Sequence, residues 1–288
     1  MKLSMEAYVP ITKCGIKEGL TMIKNAGFDG VDFSFDAFKS DADIFSDGYI
    51  EYAKDIRSHL DEIGLECYQA HAPYIVGYNA EFDLSDPNYS VVARSIESAA
   101  LLGAKNIVVH TIPVPKDRDD LSIWELNQKY YKSLIPFAEK AGICIAVENL
   151  YSYDEEKKCF VGRLGSPGEL TGFVKECNSP YIVACVDTGH ASITGYRPED
   201  FIAEMDGDIL KVVHIHDGDY QGDRHLLPYI GRFHWTEILA ALKNKGFEGN
   251  LSLEIVTYLI KQPIELLPEA LSLAEKTGRY MINIFENL

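Results

Sequence analysis

One phrase recurs along the chain: a segment of helical hydrophobic period, a glycine, then a run rich in β-branched and aromatic residues. It reads KNAG-FDGVDF, DEIG-LECYQAH, ALLG-AKNIVVH, EKAG-ICIAVEN and KNKG-FEGNLSLEI. Each glycine (Gly27, Gly64, Gly103, Gly142, Gly246) stands where a helix C-terminus favours a residue able to take positive φ. Weaker units complete the pattern, giving strands near 3–8, 28–33, 65–71, 105–110, 143–149, 181–187, 209–216 and 250–256. Helices are expected near 16–26, 48–63, 88–102, 122–141, 167–177, 198–205, 234–245 and 264–283. Their starts are marked by Asp86–Pro87 and by two capping boxes, Ser122 with Glu125 and Ser166 with Glu169.

Strict β–α alternation with no break in composition predicts parallel strands in one domain covering residues 1–288. Eight units, and no G-x-G-x-x-G turn after the first strand, favour a closed (β/α)8 TIM barrel of the α/β class over a doubly wound open sheet.

The ionisable residues sharpen this picture. Asp32, His71, His110, Glu148, Asp187, His214 and Glu254 each fall at or near the C-terminal end of a predicted strand, the end where barrel enzymes place their chemistry. One polar residue at a strand end is explained by the capping of a loop, but seven in register are not. Histidines follow the same rule: His71, His110, His190, His214, His216, His225 and His234 lie at strand ends, in the following loops or at a helix start. His59 alone falls inside a predicted helix, where it is expected on the exposed face. Alternation along a strand points Glu148 inward with Ala146 and Cys144, and Glu254 inward with Ser252. These small neighbours leave room for a ligand at the barrel mouth. His214 and His216 are two apart and share a face, so either could reach the centre. The resulting oxygen and nitrogen donor set suits Mn²⁺, Co²⁺, Zn²⁺ or Fe²⁺ better than an all-oxygen Mg²⁺ site.

Composition narrows the partners. A formal charge of −17 would repel nucleic acid and anionic membrane unless a local patch reversed it. The loops expected on the catalytic face carry ten Lys or Arg against fifteen Asp or Glu, and the one over 72–86 holds Glu81, Asp83 and Asp86 with no base. The six cysteines show no C-x-x-C pairing and read as reduced thiols, three of them inside strands. No apolar signal opens the chain and no run is long enough to span a membrane, so a cytoplasmic location is expected.

At these residues the sequence resembles the xylose-isomerase-like TIM-barrel superfamily, the sugar phosphate isomerases and epimerases related to type IV apurinic endonucleases. The resemblance is carried by HAPY (71–74), VVHTIP (108–113), VENL (147–150), CVDTGHA (185–191), VVHIHD (212–217), DRHLLPYIG (223–231) and LSLEI (251–255), in family order across nearly the whole chain. It implies that Glu148, Asp187, His214 and Glu254 are the four metal ligands, and that His190 touches substrate. His214 is preferred to His216 because the family motif places an aspartate, here Asp217, three residues on. Ketose 3-epimerases use an arginine soon after this histidine; the nearest here is Arg224, later than that pattern expects. His71, His110, His190, Asp223 and His225 match the remaining zinc ligands of the endonuclease, more than a one-metal isomerase needs. They stand as additional metal or substrate ligands, the latter role being preferred.

Three functions compete. The preferred one is a divalent-metal-dependent isomerase or epimerase of a sugar, polyol or sugar acid, with Glu148 and Glu254 as acid and base around a metal-stabilised enediolate. It needs no organic cofactor, and a dehydratase of a polyol ketone would use the same parts. His190, Arg224 and Tyr74 are its expected substrate contacts. Second stands a multi-zinc phosphodiesterase acting on abasic DNA, supported by the nine matching ligands and by Tyr74 but opposed by the acidic loops. Third, with little in its favour once both glutamates are present, is a non-catalytic barrel that binds a metal or a sugar. Among other aromatics, Tyr78, Trp124, Tyr151, Tyr153, Tyr196, Phe233 and Trp235 are candidates for the wall of a sugar pocket, for core packing or for a homo-oligomer contact.

Overall fold

A computed structural model describes residues 1–74, 82, 84–112 and 120–288. Among these residues ten strands run in chain order: β1 (Leu3–Glu6), β2 (Gly30–Ser34), β3 (Glu66–His71), β4 (Asn106–Val109), β5 (Cys144–Glu148), β6 (Leu150–Asp154), β7 (Cys159–Arg163), β8 (Ile182–Asp187), β9 (Leu210–His214) and β10 (Leu251–Leu253). Eight of them form one parallel sheet in the order β10-β1-β2-β3-β4-β5-β8-β9, while β6 and β7 make a separate antiparallel hairpin. The sheet closes on itself just beyond β9. There Ile215 pairs with Leu253, its N–H donating to the Ser252 carbonyl at 2.8 Å while the Glu254 N–H donates to the Ile215 carbonyl at 3.0 Å. The fold is a (β/α)8 barrel, as the alternation predicts.

The helices are α1 (Tyr8–Cys14), α2 (Ile16–Ala26), α3 (Tyr49–Ile63), α4 (Pro87–Leu102), α5 (Asp120–Ala141), α6 (Pro167–Cys177), α7 (Thr188–Ile193), α8 (Pro198–Glu204), α9 (Trp235–Asn244), α10 (Val256–Ile260) and α11 (Leu267–Asn287). The glycine of the recurrent phrase ends α2, α3 and α4 in the left-handed conformation. Ser166 and Glu169 form the expected capping box, and Asp86 accepts from the Asn88 N–H. The box expected at Ser122 is not a helix start, because α5 already begins at Asp120. Three short helices, α1, α7 and α10, and the β6–β7 hairpin were not expected from the hydrophobic period. The helices are too short for a 3.6-residue pattern to stand out, and the hairpin interrupts the β–α alternation. His59 is half-buried rather than exposed, its Nε2 lying 3.0 Å from the Lys17 carbonyl and 3.2 Å from Thr21 Oγ1.

Alternation along the strands separates two cores. Ile107, Val109, Ile145, Val147, Val186 and Val213 face the helices, whereas Val108, Ala146, Val183, Cys185 and Val212 fill the barrel interior with Cys144 beside them. These interior side chains are small, so the layer above them at the strand ends can be ionisable. None of the six cysteines is in a disulfide. Among the described residues no helix is long and apolar enough to cross a membrane.

Candidate functional site

Four donors converge at the C-terminal mouth. Glu148 is the last residue of β5, Asp187 of β8 and His214 of β9, and Glu254 follows β10. Glu148, Asp187 and His214 are almost fully buried, and Glu254 keeps 12% of its side chain exposed. One ligand atom from each lies within 4.8 Å of the others. His214 Nδ1 stands 2.8 Å from Glu148 Oε1 and 3.1 Å from Glu254 Oε2. That nitrogen carries at most one hydrogen, which the Glu148 contact uses. Glu254 Oε2 is accordingly buried with no hydrogen-bond partner among the described residues.

Two carboxylates turned toward one ring nitrogen repel unless a positive charge, an imidazolium or a metal cation, lies between them. Bonds of about 2.0–2.2 Å to a divalent ion set neighbouring donors roughly 3–4 Å apart, close to what is seen here. The residues present therefore fit a divalent cation, and a set of three carboxylates and an imidazole suits Mn²⁺, Zn²⁺ or Co²⁺. Burial alone would raise the Glu148 carboxyl, yet His214 and His110 hold it well below the usual carboxylate range. Asp187 behaves alike: burial opposes ionisation, and His190 with His216 outweighs it. Both are acceptors ready for a cation.

Asp187 owes its orientation to three neighbours. Its Oδ1 accepts from the His190 N–H at 2.6 Å as N-cap of α7, His216 Nε2 sits 3.1 and 3.0 Å from its two oxygens, and Asn149 Oδ1 accepts its backbone N–H at 2.7 Å. Sequence left His214 and His216 on one face. In the structure both point inward, but His216 meets Asp187 and stacks on His225 with ring centroids 4.1 Å apart. His214 alone belongs to the four-donor group that includes both glutamates.

The five further residues matched to the endonuclease also come together. His71 Nε2 is 3.0 Å from His110 Nε2, which in turn lies 2.8 Å from Glu148 Oε2. On the other side, Asp223 Oδ2 faces His225 Nε2 at 3.0 Å and His190 Nε2 at 3.5 Å, and accepts the Tyr151 hydroxyl at 3.0 Å. His190, Asp223 and His225 form a second group with metal-ligand spacing. Burial disfavours the His225 imidazolium, but Glu254 and Asp223 push it up to about 10.

All of this opens on a cavity of about 290 Å³ lined by Tyr74, His110, Glu148, Leu150, Tyr151, Arg163, His190, Asp223, His225 and Glu254, among others. Such a volume lies at the small end of ligand pockets. Another hollow of similar size, beside α8, is more open and holds none of these residues. Tyr74 is half exposed and meets His110 edge-on with centroids 5.5 Å apart. Arg224 is not among the residues lining the cavity; its Nε donates to Asp219 Oδ2 at 2.9 Å. Among the described residues, the arginine that lines the cavity is Arg163 on β7, which sequence reasoning did not single out. Two short β-rich runs separated by four polar residues, 155–158, were the signal for its hairpin.

Of the other aromatics, Tyr151 reaches the cavity. Trp124 packs on Phe173, and Trp235 Nε1 donates to Asp217 at 2.9 Å. Tyr78, with Glu81 and Asp83, lies outside the described residues.

Comparison with known proteins agrees with this architecture. The sequence profile of a family described as xylose isomerase-like TIM barrel matches residues 20–277. An uncharacterized protein of Methanocaldococcus jannaschii is 28% identical over 198 residues, 64% of this chain and 65% of its own length, so the chain spans just under two thirds of that relative. Fructoselysine 3-epimerase of Escherichia coli O157:H7 is 23% identical over 141 residues, 49% of each chain. Among solved structures, a D-tagatose 3-epimerase-like protein superposes with a TM-score of 0.77 at 23% identity, covering 100% of this chain and 99% of its own. The IOLI protein, solved with a bound zinc atom, superposes with a TM-score of 0.73 at 17% identity, covering 100% and 99%.

Proposed function

We propose, from the premise that this chain belongs to the xylose isomerase-like TIM-barrel family, that it is a metal-dependent epimerase or isomerase of a small ketose or related polyol ketone. The observation that carries the proposal is the placement of Glu148 and Glu254. Both line one cavity of monosaccharide scale, and both approach His214 Nδ1. A relative named fructoselysine 3-epimerase and a solved structure titled D-tagatose 3-epimerase-like protein support an epimerase reading.

Glu148, Asp187, His214 and Glu254 would hold the ion. A divalent cation bound there supplies Lewis-acid polarisation of adjacent substrate oxygens. The chain's own residues do the rest. Glu148, held ionised by its histidine neighbours, is placed to take a proton from the carbon beside the carbonyl. Glu254, just after β10 and three strands round the barrel from Glu148, would return a proton on the other face. His190 and Tyr151 line the wall, where they can hydrogen-bond substrate hydroxyls and fix the carbon chain between the two carboxylates. Leu150 adds an apolar side chain to the wall, and the barrel's interior layer lies below.

One observation favours a second function, a multi-zinc phosphodiesterase: His71 and His110 next to Glu148, and His190 with Asp223 and His225, reproduce the extra ligand groups it would need. The surplus of acids in the mouth loops weighs against a polyanionic duplex. A screen of ketoses beside an abasic duplex, before and after chelation and with Mn²⁺, Zn²⁺ or Co²⁺ restored, separates the two. Metal-dependent ketose turnover is expected; duplex cleavage without it would reverse the order.

A further inference from the structure

We infer that Arg163 selects the end of the substrate remote from the proton-transfer centre, and that this end carries an anionic group, a phosphate monoester or a carboxylate. The inference deepens the ketose reading and rests on it.

Three observations converge. First, placement: Arg163 ends β7 directly opposite Leu150 on β6, so the hairpin folds it back to a position two residues along from Glu148. Paired strands stand about 5 Å apart and two extended residues span about 7 Å, which puts its backbone roughly 9 Å from that of Glu148. A sugar chain with its carbonyl at the carboxylates can reach that far with its distal substituent. Leu150, Tyr151 and Arg163 line the cavity together with Glu148 and Glu254.

Second, the guanidinium is unpaired among the described residues. Among the described arginines, Arg57, Arg94, Arg197, Arg224 and Arg279 are each paired with a carboxylate, and Arg232, unpaired like Arg163, does not line the cavity. Arg163 makes no hydrogen bond or ion pair with any described residue, in a chain that holds 44 acids. A planar fork of donors left open at a cavity wall matches the geometry of phosphate or carboxylate oxygens.

Third, the backbone is held there at a cost. Leu164, the next residue, is buried at φ 52°, a conformation most side chains avoid. Gly162 and Gly165 cross so closely that a Cβ on either would overlap the Cα of the other. The strained turn fixes the direction in which Arg163 leaves the hairpin.

Calorimetric titration of the unchelated protein with D-fructose, D-fructose 6-phosphate and a hexulosonate tests this. At least one anionic ketose is expected to bind about tenfold or more tighter than the neutral one. The phosphate arm or the carboxylate arm then identifies the group. Arg163→Gln should bring the ratio close to one, and Arg163→Met should do the same if the Gln variant does not fold. The inference is overturned if neither anionic ketose is preferred, or if the preference survives both substitutions. Binding is scored without turnover, so a preference found in a protein that moves no carbon-bound proton would uphold Arg163 while removing the ketose chemistry.

Discussion

Asp32 Oδ2 lies 3.3 Å from His214 Nε2, on the side of the imidazole away from Glu148. Gln69 Nε2 donates to the same oxygen at 2.6 Å, and both Asp32 and His214 are fully buried. A carboxylate behind a metal-binding histidine fixes the ring and sets which nitrogen faces the ion. Asp32→Asn is expected to weaken divalent-ion affinity by about 10–100-fold while the barrel stays folded, as measured by chelator competition. An affinity equal to that of the parent protein would remove Asp32 from this role.

Asp217 has a different task from the histidines before it. Its carboxylate accepts the N–H groups of Gly218 (2.8 Å), Tyr229 (2.8 Å) and Phe233 (3.1 Å) and the indole N–H of Trp235 (2.9 Å). It ties down the long connection that presents Asp223 and His225. Asp217→Ala would leave these donors unsatisfied and should lower stability by about 3–5 kcal/mol. Limited proteolysis should then cut first between residues 218 and 234; cleavage elsewhere with an unchanged melting temperature would contradict this.

Much of this was legible in sequence, and for physical reasons. Helix, glycine and strand repeat in a fixed order because each unit of a barrel solves the same packing problem. The period of two then placed Glu148 inward beside Ala146. The same period could not separate His214 from His216, since residues two apart share a face; their neighbours across the sheet, Glu148 and Asp187, make the difference. Arg163 was missed because its hairpin interrupts the β–α rhythm, whereas Arg224, later in the chain than the family pattern expects, bonds Asp219.

Gly189 is required by the close approach of His216. A Cβ at this position would overlap the imidazole, which stacks on His225 and holds Asp187. Gly189→Ala should therefore cost about 1–3 kcal/mol of stability. It should also weaken metal binding, because Asp187 loses its partner. Thermal melts and metal titration of the same variant check both effects, and a loss of stability alone would show that His216 does not orient Asp187.

Elemental analysis after dialysis bears on the extra ligands. About one tightly held ion per chain is expected, at Glu148, Asp187, His214 and Glu254. Asp187→Ala or His214→Ala should release it, while His225→Ala should retain it. Two or three ions per chain, lost with His225 or His71, would assign those residues to metal rather than to substrate hydroxyls.

Proton transfer to carbon is the central claim, and solvent deuterium reads it directly. In deuterated water with the substrate found by the ketose screen, deuterium is predicted to enter at the carbon beside the carbonyl, followed by NMR. Glu254→Gln should suppress both incorporation and turnover by roughly 10²–10⁴-fold, the usual contribution of a positioned acid or base. Absence of label in every ketose, together with abasic-duplex cleavage sustained at physiological salt, would contradict the account and make the mouth a phosphodiesterase centre.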